Sequence, residues 1–140
     1  MEKSPSKYLE TENKGMNSNI YQIILDNILS LEMKQWDKIV FYSQYDEDSY
    51  EMKFYVKQNG MYTDCFSLGF SEEILVDIFI EIDKELAKSR SEFEKENEDI
   101  WKVMTIVFNS DFKFKTFYDY SYVSDDVISY KRAWKKKYLI

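Results

Sequence analysis

Between Phe70 and Asp99 the chain reads FSEEILVDIFIEIDKELAKSRSEFEKENED, with no glycine or proline to interrupt it. Ile74, Leu75, Ile78, Phe79, Ile82, Leu86 and Phe93 recur mostly at steps of three and four, which draws one apolar stripe along a helix and leaves the intervening charges wet. A helix this long constrains everything else, because the remaining segments must cover its stripe. Its start is marked by Ser71 as a cap, by Glu72 and Glu73 where the helix dipole favours negative charge, and by Phe70, placed to staple onto Leu75. From Ser71 to Asp99 there are eleven carboxylates against four cations, a balance of −7 that equals the net charge of the whole protein. Such a run reads first as a solvated helix face with internal ion pairs, and second as a field that attracts a basic partner and repels nucleic acid.

The rest of the chain supplies a sheet. After a polar stretch over residues 1–16, expected as a flexible lead, Asn17, Ser18 and Asn19 offer caps for a helix whose apolar side carries Ile20, Ile23, Ile24, Ile28 and Leu31. From Trp36 the period changes to two. WDKIVFYSQY, YEMKFYVKQ and MYTDCFSLGF predict a three-strand antiparallel meander, with the acidic DEDS turn between the first two and the hairpin signal Asn59-Gly60 between the last two. Met52, Phe54 and Val56 fall on one face, and Lys53, Tyr55 and Lys57 on the other, the pattern of a sheet with one buried side for the long helix to cover.

Beyond the long helix, WKVMTIVFNS and FKFKTFYDYSY alternate again and predict a second hairpin turning near Asn109, Ser110 and Asp111. Phe112, Phe114, Thr116, Tyr118, Tyr120 and Tyr122 share one parity, so the outer end of this strand is expected to present tyrosines beside Asp119. A short closing helix follows, opened by Ser124, Asp125 and Asp126, with Val127, Tyr130, Trp134 and Tyr138 on its apolar edge and Lys135, Lys136 and Lys137 at the negative end of its dipole. The expected fold is therefore α+β and a single domain over 17–140: an N-terminal helix, an antiparallel sheet of about five strands, the long acidic helix, and a short C-terminal helix.

Several kinds of chemistry find no footing. The sequence has no histidine, which removes the commonest general base and metal ligand. Asp46-Glu47-Asp48 lacks the glycine, alternate spacing and terminal glutamate of a calcium loop, and reads as an acidic hairpin turn. Cys65 is the one cysteine, so it has no disulfide partner within the chain, and it is expected in a strand as a small hydrophobe. No catalytic residue, metal or cofactor is expected. KRAWKKKYL at the C-terminus interleaves cations with aromatics, but on an acidic protein this is a dipole-matched helix end, and direct nucleic-acid binding is not expected. No apolar segment suits a secretory signal or a membrane span, which points to the cytoplasm.

What remains is a surface. Aromatic residues make up 18% of the chain, with twelve tyrosines, too many to be all interior. Tyrosine is favoured at interfaces because it offers a large rigid contact area and a polar tip. Tyr118, Asp119, Tyr120, Tyr122, Asp125 and Asp126 interleave phenols with carboxylates and are the first candidates for binding a protein. Asp46, Glu47, Asp48 and Tyr50 form a second group, and the helix carboxylates Glu85, Glu92 and Glu96 a third.

Trp36-Asp37-Lys38-Ile39, the aromatic strand Met52 to Val56, Trp101, Phe117-Tyr118-Asp119-Tyr120 and the segment Trp134 to Leu139 occur in an order and spacing that resembles the YezG-type family of bacterial immunity proteins, over about residues 19–140. The acidic segment Asp46 to Tyr50 departs from the glycine-rich turn of that family. The resemblance implies an antitoxin that binds and neutralises a toxin domain made by the same cell, usually a nuclease released through a contact or secretion system. It implies stoichiometric inhibition without turnover, and a cognate toxin as partner for a monomer or weak dimer. A basic nuclease groove and an acidic, tyrosine-rich surface are complementary on physical grounds as well. A small acidic secretion chaperone is the alternative from another class, and an enzyme a remote third.

Overall fold

The computed structural model describes residues 18–96, 99–123 and 126–140. The lead over residues 1–16, the candidate cap Asn17, and Ser124 and Asp125 lie outside them. In chain order the elements are α1 (Ser18–Leu29), β1 (Lys38–Tyr45), β2 (Tyr50–Gln58), β3 (Met61–Asp64), a 3₁₀ turn (Cys65–Ser67), α2 (Glu72–Glu96), β4 (Val103–Asn109), β5 (Phe114–Asp119) and α3 (Val127–Tyr138). The five strands form one antiparallel sheet in the order β3-β2-β1-β4-β5. The α+β architecture expected from the alternation is the one observed.

Local chemistry accounts for most boundaries. Asn59 and Gly60 both adopt positive φ, at 53° and 80°, as a two-residue hairpin of matching twist requires. Ser71 caps α2 by accepting the Ile74 amide at 3.2 Å. The third strand is shorter than its apolar run suggests. The Asp64 carboxylate accepts the Phe66 amide at 2.8 Å and pairs with Lys53 at 2.6 Å, which bends the chain into the 3₁₀ turn, so Cys65 is not in a strand. β5 likewise ends early. Asp119 accepts the Ser121 amide at 3.0 Å and turns the chain away before Tyr120.

β1 is the central strand, and its residues separate the core into two layers. Ile39, Phe41 and Tyr45 face α1 and α2, with Met52, Phe54, Val56, Met104, Ile106 and Phe108 beside them. Val40 and Tyr42 face α3, with Tyr55, Val103, Val123 and Trp134. The sheet is therefore covered on both sides, a correction to the one-sided sheet read from β2. Tyr55 belongs to the face that alternation made wet, yet α3 covers it. Within the helices the expected stripes are largely the buried ones, with two additions in α1 and an exception at the start of α2. Tyr21 and Leu25 are fully buried in α1, while Ile74 of α2 is half-exposed at 49%. Val76 and Ile80 are exposed beside it.

Candidate functional site

One end of the sheet gathers the residues singled out by composition. There β1 runs out, β2 begins, β4 begins and β5 ends. Tyr45 and Tyr50 are register partners that close the β1–β2 hairpin, their rings stacked with centroids 5.8 Å apart. Between them the Asp46 amide bonds to the Ser49 carbonyl at 2.9 Å, and the Asp46 carboxylate accepts from Gln44 Nε2 at 3.2 Å. Gln44 is itself held by the Tyr42 hydroxyl, so a buried polar chain fixes the root of the acidic turn.

The start of β4 ties this turn to the end of β5. The Tyr45 amide bonds to the Lys102 carbonyl at 2.8 Å, and the Lys102 amide to the Asp119 carbonyl at 2.7 Å. Lys102 is largely buried. Its ammonium donates to the Ile100 carbonyl at 2.7 Å and lies 4.8 Å from the centroid of the Tyr122 ring. That cation–π contact brings Tyr122 against the acidic turn. Asp46, Glu47, Asp48, Ser49 and Tyr122 consequently line one open hollow of about 450 Å³. Tyr122 of the first candidate group and Asp46, Glu47 and Asp48 of the second, more than seventy positions apart in the chain, meet here.

At the same end of the sheet, on the α1 and α2 side, lies an aromatic platform. Trp101 is fully buried, edge-on to Tyr45 and stacked on Tyr118 at 5.9 Å. The Arg90 guanidinium from α2 sits 4.9 Å from the Tyr45 ring and 5.1 Å from the Trp101 ring, and its Nη2 donates to the Trp101 carbonyl at 2.8 Å. Burial holds Arg90 below the usual guanidinium value. The Tyr45 hydroxyl donates to Asp83 at 2.6 Å, and burial followed by that carboxylate drives its pKa strongly upward. None of Arg90, Asp83 and Lys102 stood out in the sequence, because each acts through a partner distant in the chain.

The first candidate group divides by strand parity. Tyr118 points to the α1 side, where its hydroxyl bonds to that of Tyr21 at 2.7 Å, and burial raises both phenols. Asp119 points to the α3 side, beside Tyr130, whose pKa is raised by burial and then by that carboxylate. Tyr120 and Tyr122, past the strand end, are exposed at 43% and 51%, and Tyr50 at 38%. Asp126 is exposed and caps α3 by accepting the Ser129 amide at 3.0 Å. That hydrogen bond lowers its pKa. Asp125 lies outside the described residues.

The third group sits elsewhere. Glu85 and Glu92 border a hollow between α1 and α2 together with Lys88, and Glu96 is exposed at the end of α2. Among the described residues no three His, Cys, Asp or Glu side chains converge as metal ligands would. Nor is any described helix long and apolar enough to cross a membrane. Exposed phenols, fixed carboxylates and a shallow hollow make a surface suited to gripping a cationic macromolecule.

Residues 17–140 match the family described as immunity protein YezG-like. The chain is also 27% identical, over 117 residues, to the immunity protein YezG of Bacillus spizizenii, an alignment that covers 79% of this chain and 70% of that protein.

Proposed function

The chain belongs to the YezG-like immunity protein family, and from that premise we propose that it neutralises a cognate toxin domain, a basic nuclease, by stoichiometric binding in the cytoplasm. The observation that carries this is the meeting of the acidic β1–β2 turn with Tyr122 in one hollow, with Tyr50 and Tyr120 exposed nearby in the chain, next to Ser49 and two residues before Tyr122. A nuclease must present cations to hold phosphate, so a surface that interleaves carboxylates with phenols has the charge to steer it and the rings to anchor it. The helix charge adds a longer-range negative field of the same sign. The binding surface comprises Asp46, Glu47, Asp48, Tyr50, Tyr120 and Tyr122, with Asp119 and Asp126 as further carboxylates; Asp125, of the same sequence group, lies outside the described residues. Tyr118 supports it from within. Inhibition is by occupancy, with no turnover by this protein.

The test is co-purification and inhibition with the toxin domain encoded in the adjacent gene. An equimolar complex with the folded domain, and cleavage abolished at one to one, is the expected outcome. Undiminished nucleic-acid cleavage in the presence of equimolar protein would overturn the proposal. Binding confined to an unfolded segment of a secreted protein would establish a chaperone instead.

A further inference from the structure

On the premise that the protein grips a basic protein partner, we propose that the aromatic cleft between β5 and α3 is a seat for one arginine side chain of that partner. The cleft has a volume of about 350 Å³. Its walls are the rings of Phe117, Tyr130, Trp134 and Tyr138, with Asp119 and Lys137 among its polar groups. Phe117 is 37% exposed and packs on Tyr138 at 5.2 Å, and Tyr138 on Trp134 at 5.4 Å. The Trp134 indole donates to Thr105 Oγ1 at 2.8 Å, which pins the inner wall.

A carboxylate bordering a box of aromatic rings is complementary to a flat, delocalised cation, which stacks by its face and hydrogen-bonds by its edge. The molecule already contains such an arrangement, filled from within, in the Arg90 guanidinium between Tyr45 and Trp101. In the cleft the cation at hand is Lys137, whose ammonium lies 5.3 Å from the Tyr138 centroid, on a flexible side chain exposed to solvent. Asp119 accepts the Ser121 amide and is also hydrogen-bonded by the Tyr130 side chain in the cleft wall, and a carboxylate, with about four lone-pair positions, has acceptor capacity left for an incoming guanidinium. The main chain of Lys102 bonds to the Asp119 carbonyl at 2.7 Å and to the Tyr45 amide at 2.8 Å, so the Asp119 end of the cleft lies at the same end of the sheet as the acidic hollow.

The probe is N-acetyl-arginine amide, titrated into the full-length protein while the Trp134 indole N–H resonance, assigned by its loss in Trp134→Phe, is followed by NMR. A saturable shift with a dissociation constant on the order of millimolar is expected for a ligand of this size. Asp119→Asn should weaken it about tenfold, and Lys137→Met, which removes a competing cation, should tighten it. N-acetyl-norleucine amide should leave the resonance unmoved. The absence of a saturable shift, an equal response to the norleucine compound, or indifference to both substitutions would overturn the proposal. The Lys137 variant keeps the test decisive if Asp119→Asn unfolds. If the cleft binds arginine amide but folded Asp119→Asn protein inhibits the toxin with undiminished affinity, the arginine seat is no part of the interface, and the antitoxin role stands. If wild-type protein fails to inhibit the toxin, that role falls whatever the titration shows.

Discussion

The hydroxyl of Tyr21 on α1 and the hydroxyl of Tyr118 on β5 lie 2.7 Å apart, and this contact joins the first described helix to the last strand of the sheet. Tyr118 is at once stacked on Trp101 and 6.4 Å from the Tyr120 ring, so the pair also backs the exposed Tyr120 phenol.

Removing both of these hydroxyls should destabilise the fold by less than the two single losses added together. Tyr118→Phe or Tyr21→Phe leaves a partly buried hydroxyl without its partner and should cost about 1–2 kcal/mol. The double variant should lose less than the sum, giving a coupling energy of about 1 kcal/mol in a urea-denaturation cycle. Additive losses would show that the contact contributes nothing.

Trp134 anchors α3 on the second face of the sheet, 6% exposed and in ring contact with Tyr42, Tyr55 and Tyr138. Trp134→Ala should cost about 3–5 kcal/mol and release α3, seen as faster amide exchange over Val127–Tyr138. Trp134→Phe keeps ring packing and loses the bond to Thr105, so its cost should be nearer 1 kcal/mol.

Stability should fall on the alkaline side. Burial raises the pKa of Tyr21, Tyr42, Tyr45 and Tyr118 above the ordinary phenol value of 10.0. The unfolded chain releases these protons first as pH rises, so the stabilisation they provide is fully present below pH 10 and is lost above it. Each such phenol should subtract about 1.4 kcal/mol per pH unit above its unfolded value until its folded value is reached. Urea melts at pH 8, 10 and 11 read this directly, and equal midpoints at all three would contradict it.

Cys65 should be inert. It is fully buried, and burial pushes its thiol up to about 11, so at pH 8 the thiolate is scarce as well as shielded. Labelling by a disulfide reagent should follow global unfolding. Rapid labelling of the native protein would show that the 3₁₀ turn opens on its own.

Association with the toxin domain should depend on the acidic turn mainly through its rate of encounter. Asp46→Lys with Asp48→Lys should slow association about tenfold at low salt and much less at high salt. Rate constants from stopped-flow mixing at two ionic strengths check this, and unchanged association would move the interface away from the β1–β2 turn.

Local pattern settles a great deal in this chain. The helix α2 with nearly all of its stripe, the strands β1, β2, β4 and β5, the Asn59-Gly60 turn and the Ser71 cap all follow from residues within one or two turns of each other, and each is found where the pattern puts it. The interleaving of tyrosine with aspartate after Phe117 is equally visible. Which of those side chains share a surface is another matter. Parity sends Tyr118 to Tyr21 and Asp119 to α3, and the placement of β1 between β2 and β4 brings the acidic turn to Tyr122. Strand order depends on pairing between segments some sixty residues apart in the chain, which no local period records. The second covered face, the guanidinium held between Tyr45 and Trp101, and the cleft beside Asp119 arise only when that pairing is complete, because each needs side chains from elements that meet nowhere but in the folded molecule.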